Sequence, residues 1–164
     1  SRGYRHLGFM GGPQGATTTV DRLTGFRQAL GGSPVVQLSV AYAGAYVHEA
    51  GRQAMLRALD GPRPQAWFCA DDVLSMGALA AVSQAGLRVP DDIGILGLND
   101  MEMAAWPNFD LTTIHQPFDA IVAAAIEMMV ENLADRTRAP QARVLSCHLV
   151  ERKTLRAIPA GADR

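Results

Sequence analysis

The chain has 164 residues, enough to bury a core without disulfide or metal staples, and its 48% apolar and 19% charged residues fit a globular protein rather than a disordered one. A formal net charge of −1 excludes a nucleic-acid binder driven by bulk positive charge. No apolar run approaches the ~18 residues of a membrane span, the opening SRGYRHLGFMGG lacks the apolar stretch of a secretory signal, and Cys69 and Cys147 make neither a disulfide framework nor a four-ligand zinc site.

In chain order, HLGFM (6–10) reads as a short strand ending in the glycine-rich turn GGPQG. Val20, Leu23, Phe26 and Leu30 then recur at helical spacing over 19–30, and Gly31 and Gly32 stop that helix. VVQLSV (35–40) is a β-branched strand, and 47–59 a helix with Ala50, Ala54, Leu56 and Leu59 inward. AWFCA (66–70) is apolar throughout, as a strand covered on both faces should be. DDVLSMGALAAVSQAG (71–86) has an acidic start and a glycine stop, so it reads as a helix. IGILGL (93–98) is a further buried strand and LTTIH (111–115) is extended. The longest helix spans 118–136, apolar at Ile121, Ala125, Met128, Met129 and Leu133, and RVLSCHLVER (143–152) alternates as a last strand. Strands alternating with helices predict an α/β fold, a doubly wound parallel sheet with helices on both faces, whose ligands sit beyond the carboxyl ends of the strands.

The residues at those ends carry the candidate chemistry. GGPQG lacks the Lys-Ser/Thr of a P-loop and the spacing of a dinucleotide fingerprint, so it reads as a tight turn. Asp71 and Asp72 follow the third strand; adjacent side chains diverge, which favours a helix cap plus one site residue over a shared metal ion. Asn99 and Asp100 end the next strand, and carboxylates and amides in pairs suit vicinal hydroxyls. Arg22 lies one turn into the first helix, Tyr46 in the loop after the second strand, and Gln116 on the turn after LTTIH. The sequence holds no nucleophile elbow and no H-E-x-x-H, and its four histidines are scattered.

The stretches RLTGFRQAL (22–30), FCADDVLSMGALAAVSQAGLRVPDDIGILGLND (68–100), LTTIHQP (111–117) and LVERKTL (149–155) resemble the lactose-repressor (LacI) family of bacterial transcription regulators. The resemblance implies a periplasmic-binding-protein-like lobe, the C-terminal one of two that close on a small ligand. It maps effector contacts onto Arg22, Asp71, Asn99 and Gln116, with Tyr46 at the aromatic position. In the family the position of Asp71 is often Asn, Ser or Thr and that of Asn99 often Asp, so the pair looks exchanged here. The resemblance further implies that residues 1–164 are the C-terminal part of a sugar-effector-binding and dimerisation domain, with the helix-turn-helix head and first lobe outside this chain. The helix after Gln116 would pack on that first lobe.

The expectation is therefore a non-enzyme: the effector-binding portion of a cytoplasmic, homodimeric repressor that senses a sugar or sugar derivative and reaches operator DNA through the missing head. No cofactor, metal or membrane is expected. A periplasmic-type sugar receptor for transport or chemotaxis is the alternative, and an Mg²⁺ enzyme built on Asp71 and Asp72 a third class.

Overall fold

Among the described residues, six strands, β1 (His6–Gly11), β2 (Gln37–Tyr42), β3 (Ala66–Cys69), β4 (Gly94–Asn99), β5 (Thr113–His115) and β6 (His148–Val150), form one sheet in the order β2-β1-β3-β4-β5-β6. Among the described residues four α-helices, α1 (Thr17–Leu30), α2 (His48–Leu59), α3 (Asp72–Gln84) and α4 (Phe118–Ala134), and one 3-10 turn, Glu102–Ala105, accompany them. The structure is a computed structural model and describes residues 2–31 and 37–158; Gly32 and the expected strand residues Val35 and Val36 lie outside them.

Strands β1 to β5 are mutually parallel. Side-chain alternation along them splits the core in two. Met10, Trp67, Cys69 and Ile95 face α2 and α3, with Ala54, Met55, Leu74, Ala78 and Val82 closing over them. Phe9 and Ala70 face the other way onto Leu23, and Phe68 and Phe26 join this second cluster. The rings of Phe9, Phe26 and Phe68 lie with centroids 5.4–6.1 Å apart. Right-handed crossovers account for this division, because the sheet order reverses direction between the first and second connections. That reversal at β1/β3 opens a crevice at the strand carboxyl ends.

Three sequence expectations need correction. Val20 is 49% exposed, whereas Thr19 is 1% exposed and faces inward, because its hydroxyl bonds the Tyr46 hydroxyl at 2.8 Å. The buried stripe of α2 is Gly51, Ala54, Met55 and Leu59; Ala50 and Leu56 are only partly covered. The last strand is three residues long, not ten, and β6 runs antiparallel to β5. A parallel return needs a crossover helix packed on the sheet. Helix α4 does not supply one: it buries no residue, and Val122, Ile126, Met129, Val130 and Leu133 are 55–65% exposed. Arg143, expected inside the strand, instead pairs with Glu127 and Glu131 of α4.

Helices α2 and α3 approach through glycine. A Cβ on Gly77 would lie 2.7 Å from the backbone nitrogen of Arg52 and overlap the His48 carbonyl oxygen. Alanine would gain up to about 1 kcal/mol of helix propensity. Forcing two backbones apart costs more, typically about 1–3 kcal/mol. Gly77→Ala should therefore lower stability, read as a reduced urea midpoint at unchanged m-value; an unchanged or raised midpoint would show that α2 yields freely.

Candidate functional site

Asp71 is the first element of the site because it ends β3 and caps α3. Its backbone is extended, and Oδ1 accepts the Val73 N–H at 2.7 Å, an N-cap bond worth about 1 kcal/mol. Its other oxygen accepts the Asn99 side-chain amide at 2.8 Å. The Asn99 carbonyl oxygen in turn accepts the Gln116 amide at 2.7 Å. Three side chains from the ends of β3, β4 and β5 thus form one directed chain, from Gln116 through Asn99 to Asp71. Parallel neighbours make this possible: residues at matching strand ends arrive at one edge of the sheet.

Arg22 reaches the same edge. Its Nη1 donates to the Ala70 carbonyl at 2.6 Å, one residue before Asp71, and no other partner takes its remaining donors among the described residues. Tyr46 stands apart from the chain. Its ring covers Gly12 at the end of β1, where any Cβ would overlap the ring, and its hydroxyl bonds Thr18 and Thr19 at 3.1 and 2.8 Å. Four of the five expected residues therefore gather at the ends of β3, β4 and β5, and the aromatic one lies beyond β1.

The turn after β4 is strained. Asn99 and Asp100 have φ values of 121° and 58°, and neither is glycine. Such backbone costs on the order of 1–3 kcal/mol per residue and persists only where other contacts impose it. Those contacts are visible. Arg152 Nη2 donates to one Asp100 oxygen at 2.8 Å, His115 Nδ1 lies 3.0 Å from the other, and the Met101 N–H donates to Asp72 at 2.8 Å. Burial alone would raise the Asp100 carboxyl, but its hydrogen bonds with Arg152 and His115 prevail and hold it below the usual carboxylate range.

Asp72 is fully buried and bonds away from Asp71. It accepts the Thr113 hydroxyl at 2.6 Å and the Met101 N–H. Burial pushes its carboxyl up despite both bonds. The neighbouring carboxylates therefore serve different partners. No group of three His, Cys, Asp or Glu residues able to hold a metal ion occurs among the described residues. Sequence reasoning treated Asp72 as a possible second site residue and missed Arg152 altogether; Arg152 lies 52 positions from Asp100, and no local pattern marks the pair.

Residues 1–155 match the model of the periplasmic binding protein-like domain. The chain belongs to that family. It is homologous to the HTH-type transcriptional repressor PurR, at 35% identity over 156 residues to the proteins of Shigella dysenteriae serotype 1 (strain Sd197) and Escherichia coli O139:H28 (strain E24377A / ETEC). Each alignment covers 94% of this chain and 46% of PurR, so the chain spans about half the length of the curated relatives it matches. The lac repressor dimer bound to operator and the anti-inducer ONPF superimposes with a TM-score of 0.86 at 28% identity, over 94% of this chain and 54% of that one. The transcriptional regulator CelR–cellobiose complex gives 0.85 at 29% identity, over 93% and 47%. A periplasmic-binding-protein-like domain with a mostly parallel sheet agrees with the fold class expected from the sequence.

The raised Asp72 carboxyl sets a pH dependence. A carboxyl raised in the folded state favours folding while protonated, and that contribution is lost as pH rises through the folded value. Relative to Asp72→Asn, which carries no charge to bury, the parent should lose stability between about pH 3.5 and about pH 7. Urea unfolding of both proteins at the two pH values checks the sign; a difference that stays constant or reverses would mean that Asp72 is not penalised by burial.

Proposed function

We propose that this chain is the C-terminal lobe of the effector-binding, dimer-forming domain of a LacI-type transcriptional regulator, and that its effector is a small sugar or sugar derivative. The observation that carries the reading is the Gln116–Asn99–Asp71 chain at the carboxyl edge of the sheet, with the Arg22 fork beside it. Each of these groups keeps hydrogen-bonding capacity beyond its internal bond, so together they offer paired donors and acceptors to vicinal hydroxyls. Tyr46 would supply an apolar ring at the margin of the same site.

In this reading the first lobe packs on the exposed face of α4 and closes over the site. Effector binding shifts the open–closed equilibrium and with it the spacing of two DNA-reading heads in a dimer. The curated relatives are repressors, and the lac repressor neighbour is bound to operator, which favours a regulator over a transport or chemotaxis receptor. Repressor relatives also support a non-enzymatic, cytoplasmic protein; no helix among the described residues is long and apolar enough to cross a membrane.

The test is calorimetry on the two-lobed parent protein with cellobiose and a panel of mono- and disaccharides. Arg22→Ala should weaken binding of whichever sugar responds by about 1–3 kcal/mol, roughly 5- to 150-fold. Failure of every sugar, or unchanged affinity in Arg22→Ala, would overturn the assignment. A second expectation concerns the 164-residue chain itself, with net charge −1. It should sediment as a dimer and should not shift with duplex DNA at low salt, since it offers little counterion release. A monomer would count against the dimer-forming role, and a shift with DNA would reveal a binding surface within the lobe.

A further inference from the structure

His115 and His148 are cross-strand partners in the antiparallel β5–β6 pair, with ring centroids 4.8 Å apart and planes tilted by 36°. His115 is also the ladder partner of Asn99 on its other side and the residue before Gln116. Its Nδ1 meets Asp100, and Asp100 is shared with Arg152. Arg152 has little freedom: it also donates to the Leu111 carbonyl at 2.8 Å, and its backbone N–H bonds the Thr112 hydroxyl at 3.0 Å. Asp100 is therefore a carboxylate suspended between a fixed cation and a ring that can gain charge.

The groups facing His115 are few. Asp100 comes from the turn after β4, His148 from β6 and Arg152 from the segment after β6. Asp72 of α3 lies beyond Asp100, and Asp71 beyond Asn99. When His115 takes a proton, its bond to Asp100 becomes an ion pair through one carboxylate oxygen and pulls against Arg152, which holds the other. The His148 ring lies at stacking distance on the neighbouring strand, so a charge there would face the same site. Any shift of Asp100 passes directly to Asn99, because the two are consecutive and both hold left-handed backbone.

We propose that Asp100 is a positioning residue for Asn99, and that it carries the protonation state of the His115–His148 pair into the Gln116–Asn99–Asp71 chain. The polar edge of the sheet then has two arrangements, one for each charge state of the pair. The bearing of this coupling on effector affinity rests on the function proposed above; the coupling itself does not.

The experiment needs no effector. In the ¹⁵N-labelled 164-residue chain, the ring resonances of His115 and His148 and the side-chain amides of Asn99 and Gln116 are followed from about pH 5 to about pH 8. The Asn99 amide should move with the midpoint of the His115 ring. In Asp100→Asn the ring should still titrate while the Asn99 movement is lost. In His148→Phe the movement should remain. An Asn99 amide that stays flat while His115 titrates overturns the proposal, as does a movement that survives His115→Gln. Should Asp100→Asn fail to fold, the two histidine variants decide the matter alone. Coupled amides with no sugar bound in the calorimeter would leave this inference standing and remove the effector reading; sugar binding with uncoupled amides would do the reverse.

Discussion

Asp72 makes two side-chain hydrogen bonds, and both leave its own helix. One goes to Thr113 in β5 and the other to the Met101 backbone just past β4. A buried carboxylate is costly unless its lone pairs are filled, so these partners are held as firmly as the charge is. The effect is to tie the start of α3, the turn after β4 and strand β5 to one point beneath the carboxyl edge. Neither β4 nor β5 could shift along the sheet without uncovering that charge. The placement of Asn99 and Gln116 above it depends on this tie.

On that base the turn at Asn99 and Asp100 can remain in a conformation that non-glycine residues rarely adopt. The strain is opposed by bonds to Arg152, His115 and Asp72, which come from three separate segments. A turn imposed from outside differs from one that follows from local sequence: when its restraints change, it changes too. The side-chain chain from Gln116 to Asp71 crosses this turn, so the most polar part of the edge is built on the backbone with the least intrinsic preference for its shape.

Local sequence sufficed wherever local physics decided the outcome. The uninterrupted apolar run AWFCA, the capped start of α3 and the strand preceding Asn99 declared themselves through burial and capping, and parallel alternation then placed Asp71, Asn99 and Gln116 on one edge. It failed where distant partners decide. Thr19 displaces Val20 from the interior because of a tyrosine hydroxyl 27 positions away. The last strand shrinks because Arg143 is drawn to acids on α4. Asp100 and Arg152 meet only through the fold, and the difference between Asp71 as a cap and Asp72 as a buried tie cannot be seen in two identical letters.

Helix α4 begins one residue after the polar chain ends. Only Pro117 separates Gln116 from Phe118, and the Phe118 N–H bonds back to the Gln116 carbonyl at 2.8 Å. Proline removes one backbone rotation at this junction. The helix is therefore a stiff arm about 25 Å long, by its seventeen residues at 1.5 Å each, hinged next to the amide it moves. Any body that grips the apolar face of that arm acts with leverage: a small rotation at its far end is delivered to Gln116 at its start and, through Glu127 and Glu131, to Arg143 on the approach to β6.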